Sequence, residues 1–168
     1  AGFLSHGISF SEKTLLSVAI ILLGSQINIS SLSLINYKTI LLILFIILFS
    51  IIICLLIGKL FGLPKNTSLL LGIGNGICGS AAIAGASKIL ESKKEEIGIS
   101  IAVINGLGAL CIIVIPLLEN FFPLFDNNQL GLIIGSTVQA FGQVTATGFI
   151  IHEDVGQTAT VIKMIRIL

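Results

Sequence analysis

Leu69–Leu90 reads LLLGIGNGICGSAAIAGASKIL, an apolar stretch long enough to cross a membrane and interrupted by glycine in its middle. Gly72, Gly74, Gly76 and Gly79 crowd into about two helical turns, and each costs a helix interior roughly 1 kcal/mol relative to alanine. A continuous helix is not expected there. In hydrocarbon an unpaired backbone group costs several kcal/mol, so unwound chain survives at membrane depth only where protein buries it or a wet cavity meets it. Transporters use such breaks as binding sites.

The remainder of the chain supports a membrane setting. Of its 168 residues, 55% are hydrophobic and only 10% charged, outside the range of soluble domains. A net charge of +1 without any basic run leaves no footprint for nucleic acid. The expected partner is instead the lipid bilayer. The chain opens without methionine and stops inside the apolar run IKMIRIL, which reads as an internal fragment of a longer protein. Cys54, Cys78 and Cys111 lie in apolar runs without CxxC spacing, so structural thiols are expected rather than disulfides or metal ligands.

The hydropathy pattern predicts an all-α bundle of six spans in a single transmembrane domain covering 1–168. The spans are 14–29, 39–60, 68–90 (broken near 74–79), 97–118, 130–151 and 155–168, the last truncated. Tyr37 and Lys38 mark an interface before the second, and Pro64 breaks the chain after it, with Asn66 or Thr67 as the cap that follows. Pro116 and Glu119 close the fourth. The fifth, LGLIIGSTVQAFGQVTATGFII, is too polar to face lipid. Lys and Arg counts favour a cytoplasmic loop at Lys88–Lys94.

Gly74, Gly76 and Gly79 also spell GxGxxG, which raises an enzyme reading. The dinucleotide fingerprint needs a strand before it and an acidic residue ending the next strand, yet the following apolar run has no acid until Glu119. A phosphate-binding loop of the Walker type fails because Ala81 follows Ser80. A membrane oxidoreductase would need haem-ligating histidines, and His6 and His152 lie at span ends. No enzymatic activity and no cofactor are expected.

Two readings of the small residues remain open. Gly72, Gly76, Ser80 and Ala84 recur every four residues and would form a ridge for close helix packing. Alternatively the helix breaks between Gly74 and Gly79 and restarts with Ser80 as N-cap, aiming the amides of Ala81 to Ile83 at an anion, with Asn75 as a further donor. Gln139 and Gln143, one turn apart, either bond to neighbouring helices or orient a substrate.

Charge placement decides more. Every acid falls in a loop or at a span end, whereas Lys163 and Arg166 stand on one face of the sixth helix. Ionisable groups at such depth mark a pathway unless they snorkel to the far interface. Amide donors, neutral polar side chains and a basic pair without an intramembrane acid suit an anion. A sodium or proton antiporter would need a carboxylate there.

The motifs GIGNGICGSAAI, GSTVQAFGQVTATG and DVGQTATVIKMIRIL resemble those of the YeiH-like family of bacterial inner-membrane proteins, labelled sulfate exporters. The resemblance covers essentially the whole chain. It implies a multi-pass inner-membrane location, a full chain about twice as long, and distant similarity to the cation/proton antiporter and bile-acid transporter superfamily with its inverted repeats. Ser80 and its neighbouring glycines match the family's broken segment, and Lys163 with Arg166 its basic pair. Members often carry His-Glu where this chain has Gln139 and Ala140, so proton relay through that pair is not implied here. The expectation is a secondary transporter exporting a small, sulfate-like anion, with Asn75, Gly76, Gly79, Ser80, Gln139, Gln143, Lys163 and Arg166 at the site and homo-oligomerisation open. The alternatives are a non-transporting scaffold or a cation-coupled or proton-coupled transporter of another solute.

Overall fold

The computed structural model describes Val18 and residues 37–167. The expected span 14–29 falls, apart from Val18, outside the described residues. Among the described residues the chain is entirely helical: α1 Tyr37–Leu60, α2 Lys65–Gly76, α3 Ser80–Ile89, α4 Lys94–Phe121, α5 Asn127–Thr137, α6 Phe141–Ile151 and α7 Glu153–Ile167. This is the architecture of a helical membrane protein. Two elements, Ile40–Leu60 and Lys94–Phe121, are each by themselves long and apolar enough to span. At 1.5 Å per residue they reach roughly 30 and 40 Å.

The helix ends follow from local chemistry. Gly62, at φ 69°, closes α1, with the Leu63 amide reaching back to Gly58 O (2.8 Å) and the Gly62 amide to Lys59 O (3.3 Å). That pairing satisfies two of the carbonyls a helix C-terminus leaves open. Pro64 then occupies the N-cap position of α2. Asn66 and Thr67 therefore lie inside the helix and do not cap it, a correction to the sequence expectation. The Asn66 amide instead donates to Leu90 O across 3.2 Å and ties the start of α2 to the end of α3. At α4, Glu96 Oε2 accepts the Lys93 amide (2.8 Å), and the helix continues through Pro116 to Phe121. Pro116 thus costs α4 one backbone bond without ending it. Asp126 caps α5 by accepting the Gln129 amide at 2.8 Å.

Packing depends on residues without side chains. α2 lies on α1 because Gly72 lets the backbones close: a Cβ there would stand 2.8 Å from Ile51 Cα. Gly76 faces Ile47 in ordinary contact. The small-residue ridge is real over these two residues. α7 is held between the halves of the second broken helix, where a Cβ on Gly135 would come 2.6 Å from Ala159 O and one on Gly148 2.7 Å from Gly156 Cα. The core centres on Leu130, Ile134, Val138, Val144, Val155 and Ala159, with a second cluster of Leu70, Ile83 and Ile104 under the first break.

The largest departure from expectation is in 130–151, read as one span and found as two helices. α5 ends at Thr137, and Val138 and Ala140 are extended, with φ and ψ of −68° and 141°, and −91° and 147°. Neither residue needs a positive φ. The expected break near 74–79 is narrower, between Gly76 and Ser80.

Candidate functional site

Both interruptions meet at one place. Gly79 precedes α3 at φ 78° and ψ −129°, a conformation that L side chains rarely adopt, and its amide returns to Gly74 O at 2.9 Å. A Cβ on Gly79 would lie 3.6 Å from the Ala140 methyl group. Ala140 itself precedes α6. The two restarting helices therefore begin side by side. The N-cap position is Gly79, with Ser80 as the first helical residue, which corrects the expected Ser80 cap. Ser80, Ala81 and Ala82 precede the first carbonyl bond of α3, from the Ile83 amide to Gly79 O at 3.2 Å. In α6 the Gln143 and Val144 amides both return to Ala140 O, at 3.1 and 3.0 Å.

Lys163 and Arg166 serve the opposite ends. Lys163 Nζ donates to Ile77 O (2.8 Å) and Val138 O (2.9 Å), one carbonyl from each interruption. Arg166 Nε donates to Gly76 O at 2.6 Å, and its two terminal nitrogens donate to Ser136 O and Asn75 O. Five carbonyls at the C-terminal ends of α2 and α5 are thereby satisfied by two side chains from α7. Both are buried, at 0% and 4% exposure, which rules out snorkelling.

A neutral chain crosses the same point. Ser50 Oγ donates to Gly72 O (3.3 Å), Asn75 Nδ2 to Ser50 Oγ (2.9 Å), and Gln139 Nε2 to Asn75 Oδ1 (2.9 Å). Among the described residues, Gln139 Oε1 is buried without a partner. Gln143 is engaged elsewhere, its Oε1 accepting the Ala140 amide (3.1 Å) while its Nε2 donates to Asn105 O (3.2 Å). Both ends of that amide hold the second break to α4. Gln143 thus caps the start of α6.

Of the eight residues expected at the site, hydrogen bonds join Asn75, Gly76, Gln139, Lys163 and Arg166. Gly79 and Ser80 follow at the start of α3, Gln143 bonds to Ala140 and Asn105, and Ser50, Gly72, Ile77, Ser136, Val138 and Asn105 are added. Ser50 had a signal, as a lone hydroxyl inside the Leu, Ile and Phe run of α1. The others contribute backbone carbonyls, which side-chain identity does not advertise. With about half a charge at each helix end, the two negative C-termini and two positive N-termini roughly cancel. The permanent charge of Arg166 and that of protonated Lys163 then remain. Every described carboxylate, from Glu91 to Asp154, stands at or beyond a helix end. A separate cavity of about 340 Å³ lies at the α1–α2 turn, lined by Leu55, Leu56, Lys59, Leu63, Lys65 and Ser68, and shares none of these groups.

The family model described as conserved hypothetical protein 698 matches residues 2–168. The chain is 36% identical to a UPF0324 membrane protein of Bartonella henselae over 166 residues, covering 99% of this chain and 47% of that protein. It is 37% identical over 164 residues to one of Agrobacterium fabrum, covering 98% and 47%. A third, from Clostridium perfringens, is 32% identical over 163 residues, covering 97% and 48%. The chain spans about half the length of these curated relatives. No solved structure matches it.

Proposed function

This chain belongs to the conserved hypothetical protein 698 family of UPF0324 membrane proteins, and from that premise we propose that it forms part of a secondary transporter for a small anion. The observation that carries the reading is the pair of cations held at the crossing of two broken helices, with no carboxylate among the described residues to neutralise them. Uncompensated positive charge in a low-dielectric interior favours an anion strongly. The starts of α3 and α6 lie beside it and add amide donors.

Sodium coupling at the unwound carbonyls is disfavoured. Transporter folds use half-helix C-termini to coordinate cations, and here Lys163 and Arg166 take those positions. No bond-making chemistry is assigned to the site. Sulfate is the substrate suggested by the resemblance to the YeiH-like family, with export across the bacterial inner membrane as its direction.

The test is anion-dependent thermal stabilisation of the purified full-length protein, screening sulfate, sulfite, phosphate, small sulfonates and carboxylates against chloride. A ligand bound only by the folded state at 100 times its dissociation constant stabilises by about 2.7 kcal/mol. A selective shift for one class supports the reading. Uniform absence of a shift in folded protein, together with absence of anion flux in vesicles, would replace it with the scaffold reading.

A further inference from the structure

The neutral chain through the crossing has a direction, and the direction leaves one acceptor open. Ser50 gives its only hydrogen to Gly72 O and accepts from Asn75 Nδ2. Asn75 therefore presents Oδ1 to Gln139, which must answer with Nε2. Reversing both amides would turn the Ser50 hydrogen towards Asn75 and forfeit the bond to Gly72. Among the described residues, the arrangement with the most bonds leaves Gln139 Oε1 unpaired, in a residue only 7% exposed, one position before Ala140 and the start of α6. Buried acceptors in a low-dielectric interior are rarely left open, so this one calls for a partner.

We propose that the anion taken at the crossing carries a hydrogen-bond donor as well as its charge, and that Gln139 Oε1 accepts from that donor. The inference rests on the anion reading above and narrows it. A fully deprotonated tetrahedral dianion such as sulfate offers only oxygens, and its approach to Oε1 is repulsive, so the inference keeps the anion class and sets aside the sulfate that the resemblance suggests. A hydroxy- or amino-substituted sulfonate, or an oxyanion retaining one proton, satisfies the helix N-termini and Gln139 together. A site built to hydrogen-bond a substrate hydroxyl discriminates against the analogue without it, because the acceptor is then left unpaired.

The matched pair ethanesulfonate and 2-hydroxyethanesulfonate isolates the donor. Titrated into the purified full-length protein and read by thermal unfolding, the hydroxy compound should bind about three- to tenfold more tightly. Gln139→Met, which keeps the volume and removes both the acceptor and the Nε2 donor to Asn75, should abolish the preference between the two sulfonates whatever it does to their common affinity. Equal affinities in the wild type, or a preference that survives in Gln139→Met, would overturn the proposal and leave the anion reading standing. The wild-type pair decides alone if the variant does not fold. Failure of both sulfonates and of every inorganic anion to bind would overturn the anion reading, and this inference with it.

Discussion

Lys163 reaches across 86 positions of chain to the carbonyl of Ile77, at 2.8 Å, and by the same ammonium group to Val138. One side chain thus binds the open ends of both broken helices. The charge on which the proposed anion reading rests also holds the crossing shut, so on that reading stability and binding are coupled at this residue.

Lys163→Met should consequently destabilise the protein even without ligand. Two buried carbonyls lose their donor, each at about 1–3 kcal/mol. Unfolding of the full-length variant in detergent, followed by SDS titration or melting, should show a loss of roughly 2–5 kcal/mol. A lysine that supplied only charge to a substrate would leave the variant as stable as the wild type. An unchanged melting profile would restore that simpler view.

Two glycines should respond oppositely to the same change. Gly79 sits at φ 78°, and although a Cβ would meet only ordinary contacts at 3.6 Å, the backbone conformation opposes it. Gly79→Ala should cost about 1–3 kcal/mol. Gly98 lies in α4, where an added Cβ would have nothing within 4 Å. There alanine should be neutral or stabilise by up to about 1 kcal/mol. Equal melting shifts for the two would mean that the first break has no strict backbone requirement.

Gly135 tests how tightly α7 must seat. A Cβ would come 2.6 Å from Ala159 O and 2.8 Å from Ile162 Cβ, neither able to move without displacing α7. Gly135→Ala should lower stability by roughly 1–3 kcal/mol and weaken anion-dependent stabilisation, because Lys163 lies one residue beyond Ile162. Retained binding with reduced stability would separate the packing of α7 from the site.

Gln143 separates a capping residue from a substrate contact. Gln143→Leu breaks the bonds to the Ala140 amide and Asn105 carbonyl, and should destabilise by about 1–3 kcal/mol. The distinguishing readout is relative affinity among anions, which should keep its order in the variant. A changed order with unchanged stability would return Gln143 to the substrate.

The two breaks differ in how they are written. Gly76, Gly79 and their neighbours announce the first, because glycine lowers helix propensity and alone tolerates the backbone at Gly79. The second carries no glycine or proline at Val138, Gln139 or Ala140, and its extended backbone is open to any residue. Local propensity has nothing to register there. Its polar neighbours were visible as an unusual run, but Thr145 and Thr147 bond to carbonyls of their own helix, Phe141 O at 3.2 Å and Gln143 O at 2.7 Å.

Composition and hydropathy by themselves determined a helical membrane protein, a glycine-weakened segment in it, and a basic pair kept apart from every carboxylate. These are properties of the chain's solvent preference and of single residues, so they appear in the order of residues. Only the tertiary structure decided that a second helix breaks, that the two breaks touch, and that Lys163 and Arg166 bond to carbonyls instead of standing free. A carbonyl is identical at every position, and its need for a donor depends on which distant side chain packing delivers to it.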